Sequence, residues 1–245
     1  MPDSLGEVFA SFASLATVAL GLFGVRALLS SWLLWWPSIQ AFGETPPCDV
    51  VFTGSSSVTY WSSLETDMAP LRVVNRGFGG SMIRHAARYA DRLIGASRAR
   101  AVVISAGSND LALFFRVATL ERDFRRFVAA VRAVDPAIVV YFVSINRAPA
   151  RFLHWRRMSA LEARVRAIAE RDPRVRYLDV SAPVHDAAGR PRLGLFRIDG
   201  LHMNEDGYAA WTSVIRPRLW ADLAALPPHV SGTESPLEAA QPNGR

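Results

Sequence analysis

The chain has 245 residues, half of them hydrophobic and a fifth charged, a balance that excludes a disordered protein and suits a domain with a sizeable core. Its net charge is +6 and all 28 basic residues are arginine, yet they alternate with Asp and Glu, so no basic tract marks a nucleic-acid partner. One cysteine, Cys48, excludes an intramolecular disulfide and a cysteine-built metal cluster.

The first element is apolar. Residues 8–25 carry no charge, Arg26 follows, and the apolar run continues to Pro37. Eighteen uncharged, mostly apolar residues are long enough to span a bilayer, and Trp32, Trp35 and Trp36 suit its interface. The segment before them has two acids and no basic residue, unlike a cleaved signal. Residues 1–37 are therefore expected to form an apolar helix that anchors the protein to a membrane. Residues 38–48, with their prolines and glycine, read as a linker. Residues 226–245 are rich in Pro, Ser and Gly without periodicity and read as a disordered tail.

Between them, 49–225 read as one folded domain. Short runs rich in Val and Ile at 49–53, 71–75, 101–105, 137–145 and 175–180 predict buried parallel strands. Amphipathic stretches at 82–94, 120–134 and 155–171, and a last one at 205–226, predict helices. Strand–helix alternation predicts an α/β fold with a parallel sheet of about five strands covered on both faces. In such sheets, sites form where loops leave the carboxyl ends of the strands.

Four marked loops fall at that edge. The first is Ser55-Ser56-Ser57 after the first strand, and the second is Asn75-Arg76-Gly77-Phe78-Gly79-Gly80 after the next. The third is Gly107-Ser108-Asn109-Asp110, and the fourth is Asp199-Gly200-Leu201-His202 ahead of the last helix. Each alone reads as an ordinary turn, but four in succession at one edge predict acyl-transfer chemistry. A serine hydroxyl needs a base, and the base needs an orienting carboxylate. Asp199 and His202, three positions apart, share one side of a turn. Gly79 and Gly80 let a backbone N–H approach a developing oxyanion, and the Asn109 amide offers another donor. The Gly-x-Ser-x-Gly elbow is absent, as is a dinucleotide-binding fingerprint.

These blocks, over Val50 to about Leu223, resemble the SGNH (GDSL) hydrolase superfamily. The resemblance implies a flavodoxin-like three-layer α/β/α fold and serine esterase activity without a metal or other cofactor. It implies Ser56 as nucleophile with Asp199 and His202 as its partners. The oxyanion hole would be the Ser56 backbone N–H, Gly80 and Asn109. Two positions depart from the family's first block, Ser55 standing for its Asp and Ser57 for its Leu. The implied substrates are small-molecule, lipid or glycan esters. An O-acetyl transferase or deacetylase acting on cell-surface glycans and a non-catalytic binding module are the alternatives. On topology, Arg26 under the positive-inside rule points to a cytoplasmic domain, while the resemblance points outside, and the latter is given more weight.

Of the remaining candidates, His85, His185 and His229 have no orienting partner in sequence. His154 and Trp155 sit in a long loop after the fourth strand that is expected to line the pocket. Asp110 is expected to be a loop-stabilising acceptor, and Cys48 a bystander.

Overall fold

The computed structural model describes residues 36–226, with side chains from Ser38 onward. The anchor expected over 1–37 and the tail expected over 226–245 lie outside the described residues, apart from their inner ends. Among the described residues, no helix is long and apolar enough to cross a membrane.

Five strands form one parallel sheet: β1 (Val50–Gly54), β2 (Val73–Gly77), β3 (Ala101–Ser105), β4 (Val139–Val143) and β5 (Val175–Leu178). Their order is β2-β1-β3-β4-β5, the doubly wound arrangement of flavodoxin-like folds. All five predicted strands form, and β4 is shorter at both ends than its apolar run suggested. Period-two alternation sorts side chains between two cores, because successive residues of a strand point to opposite faces. In β1, Val50 and Phe52 enter one core and Val51 the other; in β3, Ala101 and Val103 oppose Val102 and Ile104.

One face of the sheet is covered by α4 (Ile83–Arg88), α5 (Ala90–Ile94), α7 (Val117–Val134) and α8 (Trp155–Ala169). The 82–94 stretch is thus two short helices that meet at Tyr89, not one. In α7, Leu120, Phe124, Phe127, Val128 and Val131 recur at helical spacing and are buried. The other face carries α2 (Ser56–Thr59), α3 (Leu64–Met68) and α10 (Glu205–Ala224). There Trp61 stacks on Tyr208 at 5.1 Å and meets Trp211 edge-on at 5.9 Å. The short helices α1 (Trp36–Gln40), α6 (Ser108–Ala112) and α9 (Ser181–Val184) complete the α-helices of the described residues, and 3-10 turns form at Pro149–His154 and Leu193–Leu195.

The segment read as a linker is packed against the domain. Ile39 is fully buried, and Cys48 N donates to Ser97 O at 3.0 Å. Arg76, buried in β2, donates to Phe42 O (3.0 Å), Glu44 O (2.9 Å) and Thr45 Oγ1 (3.1 Å), and its guanidinium lies over the Phe42 ring. A buried guanidinium needs its donors satisfied, and here main-chain carbonyls of 38–48 do it. Arg76→Met is expected to lose about 2–4 kcal/mol of stability, read as a lower urea midpoint for the full chain in mild detergent.

Candidate active site

β1 ends in Gly54, whose φ of +137° is open to glycine alone among common residues, and a Cβ there would lie 2.1 Å from Ser105 O. This close approach lets β1 turn directly into α2, with Ser55 N donating to Ser105 O at 3.1 Å. Ser56 is the first residue of α2, where a backbone N–H has no partner within the helix.

His202 comes to Ser56 from the other end of the domain. Its Nε2 is 3.0 Å from Ser56 Oγ, and its Nδ1 is 2.6 Å from Asp199 Oδ2. Asp199 Oδ1 accepts from the backbone N–H groups of Leu201 (2.8 Å) and His202 (2.9 Å). These donors, the His202 backbone first and then its ring, pull the Asp199 carboxyl down to about 2. The carboxylate therefore stays ionised throughout the neutral range. On the opposite side, the Tyr60 ring stands edge-on to His202 at 4.9 Å and carries Arg197 over its face at 5.3 Å.

Asn109 is in α6, after β3. Its Nδ2 donates to Ser81 O at 3.0 Å, and Ser81 Oγ donates to Gly54 O at 3.0 Å, so three loops are tied in a chain. Arg151 Nη2 approaches Asn109 Oδ1 at 3.4 Å, a contact that favours this orientation of the amide. One N–H of Nδ2 is left over. Gly80 lies in the same turn as Ser81 with φ of +75°.

Ser56, His202 and Asn109 wall one cavity of about 30 Å³, with Ser55, Ser57 and Ser108 among its other polar residues. Ile145, Asn146 and Ala148 supply the side nearest the fourth strand. Gly80 is not among its walls. The loop after β4 thus reaches the cavity, as expected, but through residues that precede His154 and Trp155. His154 instead meets Phe114 edge-on at 5.4 Å, and Trp155 Nε1 donates to Ala148 O. Sequence reasoning missed Tyr60, which follows the serine block without belonging to it, and Asn146; among the described residues the buried Asn146 Oδ1 has no hydrogen-bond partner.

The other histidines are structural. Buried His85 accepts from Met82 N through Nδ1 at the start of α4, and His185 Nδ1 is 2.8 Å from Ser181 O. His229 lies outside the described residues. The Cys48 thiol is buried, and burial, then Asp49, pushes it up to about 12, so it is inert.

Asp110 is fully buried, and its carboxyl faces the backbone N–H groups of Asp110 itself and of Ile83, contacts too loose to satisfy either oxygen fully. Burial pushes the carboxyl up to about 7 from the ordinary 3.8, only partly offset by nearby backbone and by Arg84. The proton is held more tightly in the folded chain than in the unfolded one, so folding stability falls as pH rises from about 4 to about 7. Asp110→Asn is expected to stabilise the protein at pH 8, by up to roughly 4 kcal/mol, with the gain vanishing below pH 4 in urea titrations.

Comparison with known proteins places this geometry in a family. The model of the GDSL-like Lipase/Acylhydrolase family matches residues 39–210. Among solved structures, the chain is similar to a GDSL-like lipase from Bacteroides thetaiotaomicron, with 18% identity over 79% of this chain and 99% of that one, at a TM-score of 0.64. It is similar to a carbohydrate esterase of family 3 from Talaromyces cellulolyticus, at 17% identity, 73% and 99% coverage and a TM-score of 0.58. A psychrotrophic esterase from Pseudoalteromonas sp., in a structure inhibited by monoethylphosphonate, gives 16% identity, 71% and 99% coverage and a TM-score of 0.53. No curated protein matches. The chain belongs to the GDSL-like lipase/acylhydrolase family and is a hydrolase acting on ester bonds.

Proposed function

We propose that this protein is a serine esterase that removes short acyl groups through Ser56, His202 and Asp199. The observation that carries the reading is the continuous relay from Asp199 Oδ2 through the His202 ring to Ser56 Oγ, with both links within hydrogen-bond distance. In this reading neutral His202 takes the Ser56 proton at Nε2 as Oγ attacks the ester carbonyl. Ionised Asp199 holds the ring by Nδ1–H and steadies the imidazolium that forms. The Ser56 N–H and the remaining Asn109 Nδ2–H donate to the oxyanion, with the Gly80 N–H as the third donor. His202 then returns the proton to the departing alcohol, and water, activated at the same nitrogen, releases the acid from the acyl-serine.

The size of the cavity supports a short acyl group. About 30 Å³ beside Ser56 is room enough for an acetyl methyl. Its serine and asparagine walls favour a polar ester, in keeping with the likeness to a carbohydrate esterase. Residues 1–37 would hold the enzyme at a membrane, on the uncharged length of 8–25.

Ser56→Ala is expected to lower kcat on p-nitrophenyl acetate by at least about 10³-fold, while Ser55→Ala and Ser57→Ala keep most of it. Asn109→Ala is expected to cost about 10²–10³-fold in kcat. A fluorophosphonate probe should label the wild type and not Ser56→Ala. Loss of labelling at Ser57 with survival at Ser56 would overturn the assignment.

A further inference from the structure

Six large hydrophobic side chains are exposed among the described residues: Tyr60, Phe114, Phe152, Leu153, Leu193 and Ile198. Scattered exposed apolar residues need no explanation, but these are not scattered. Every one lies in a connection that leaves the carboxyl end of a strand, where the cavity opens. Three of them share two loops that touch: Phe114 is 71% exposed, and Phe152 and Leu153 are 63% and 75% exposed, while the exposed Leu193 and Ile198 lie in the connection ahead of α10.

The loops that carry these three are built to present them. Arg157, at the start of α8, donates to Leu111 O (2.9 Å) and to Phe115 O, clamping the Phe114 loop from both sides. His154 meets the Phe114 ring, which joins the two loops, and Ala150 N donates to Gly200 O at 2.9 Å, fastening the patch to the loop that carries His202. Phe114 has φ of +58°, a left-handed conformation that an aromatic residue seldom adopts and that costs free energy. A glycine there would relieve the strain and remove the exposed ring, so folding stability does not account for this phenylalanine.

Charge identifies the occupant. Residues 111–120 and 145–161 hold five arginines, Arg116, Arg147, Arg151, Arg156 and Arg157, and no Asp or Glu. Only Arg147 is in an ion pair, with Glu162, among the described residues. The His154 imidazole is held below its ordinary value, by burial first and then by Arg157 and Arg151, as a cationic surrounding requires. Arg147, Arg151 and Arg157 are engaged by Glu162, Asn109 and main-chain carbonyls, which leaves exposed Arg116 and Arg156 beside the apolar side chains. Together these match a bilayer with anionic headgroups, where rings and leucine enter the acyl boundary and guanidinium groups remain among phosphates.

We propose that the loops 111–116 and 149–157 dock the catalytic face onto an anionic lipid bilayer, a contact separate from the N-terminal apolar segment. This orientation brings the cavity mouth to the membrane surface. Esters displayed at that surface then reach Ser56 without the domain's other faces being involved.

The test uses the full chain reconstituted in phosphatidylcholine vesicles with or without phosphatidylglycerol. Buried Cys48 stays unlabelled, so Phe152→Cys carries an environment-sensitive fluorophore alone, and Ala133→Cys on the far end of α7 serves as the control. With phosphatidylglycerol the label at 152 is expected to shift to the blue and to be quenched by brominated lipid, while the label at 133 is not. Arg116→Gln with Arg156→Gln is expected to weaken docking about fivefold per arginine removed. Equal quenching at 152 and 133, or quenching at 152 that ignores anionic lipid, overturns the proposal. A blue shift without lipid quenching also overturns it, since the occupant is then protein, either a second copy or residues 1–35. The fluorescence reads docking alone, so its outcome is independent of the assignment of Ser56.

Discussion

The gap between the carboxyl ends of β1 and β3 governs the rest of the structure. The chain leaves β1 to build β2 on one side and returns to build β3 on the other, so the loops from these two strands diverge and leave a crevice. Gly54 makes the crevice usable. With any side chain there, β1 and β3 would be forced apart at Ser105 O, and the turn into α2 would move. Ser56 and Asn109 face one cavity because each is carried by the first turn after one of these two strands.

A crevice formed by loops needs ties, since loops lack the mutual hydrogen bonding of strands. Here the ties are short and polar. Ser81 joins Gly54 to Asn109, Arg151 extends the chain to the loop after β4, and Ala150 N extends it to the loop that carries Asp199 and His202. Asp199 is fixed twice, by two backbone donors on one oxygen and the His202 ring on the other. Asn109 and the Oδ1 of Asp199 are thereby positioned by partners that take no proton in the proposed reaction.

Much of this was legible in sequence, for physical reasons that also mark where legibility ends. Buried parallel strands read as runs of Val and Ile, so all five were found. The loops after β1 and β3 and ahead of α10 were legible because Ser56, Asn109, Asp199 and His202 bear reactive or hydrogen-bonding groups at turns. One-turn helices such as α2 and α6 are too short to show periodicity and read as loops. The packing of 38–48 was hidden because its proline and glycine signal irregular backbone, while the residue that holds it, Arg76, lies in a different element. The burial of Asp110 was hidden for the same reason: an Asn-Asp pair reads as ordinary loop, and only the packing around α6 buries the second member.

The cavity and its rim differ in chemistry, and the difference divides recognition into two steps. The walls are mostly small and polar, whereas the loops after β3 and β4 present Phe114, Phe152 and Leu153 among arginines. An apolar rim around a deep apolar pocket would suit a long acyl chain drawn in from the surface. Here the apolar side chains are exposed and none of them lines the cavity, whose walls are mostly polar. Such a rim contributes to where the enzyme sits and little to which acyl group it cleaves. In the proposed reading, selectivity among esters rests on the cavity walls, Asn146 among them. The strained backbone at Phe114 belongs with these loops: its cost falls on folding, and in the docking proposed above its effect is on location.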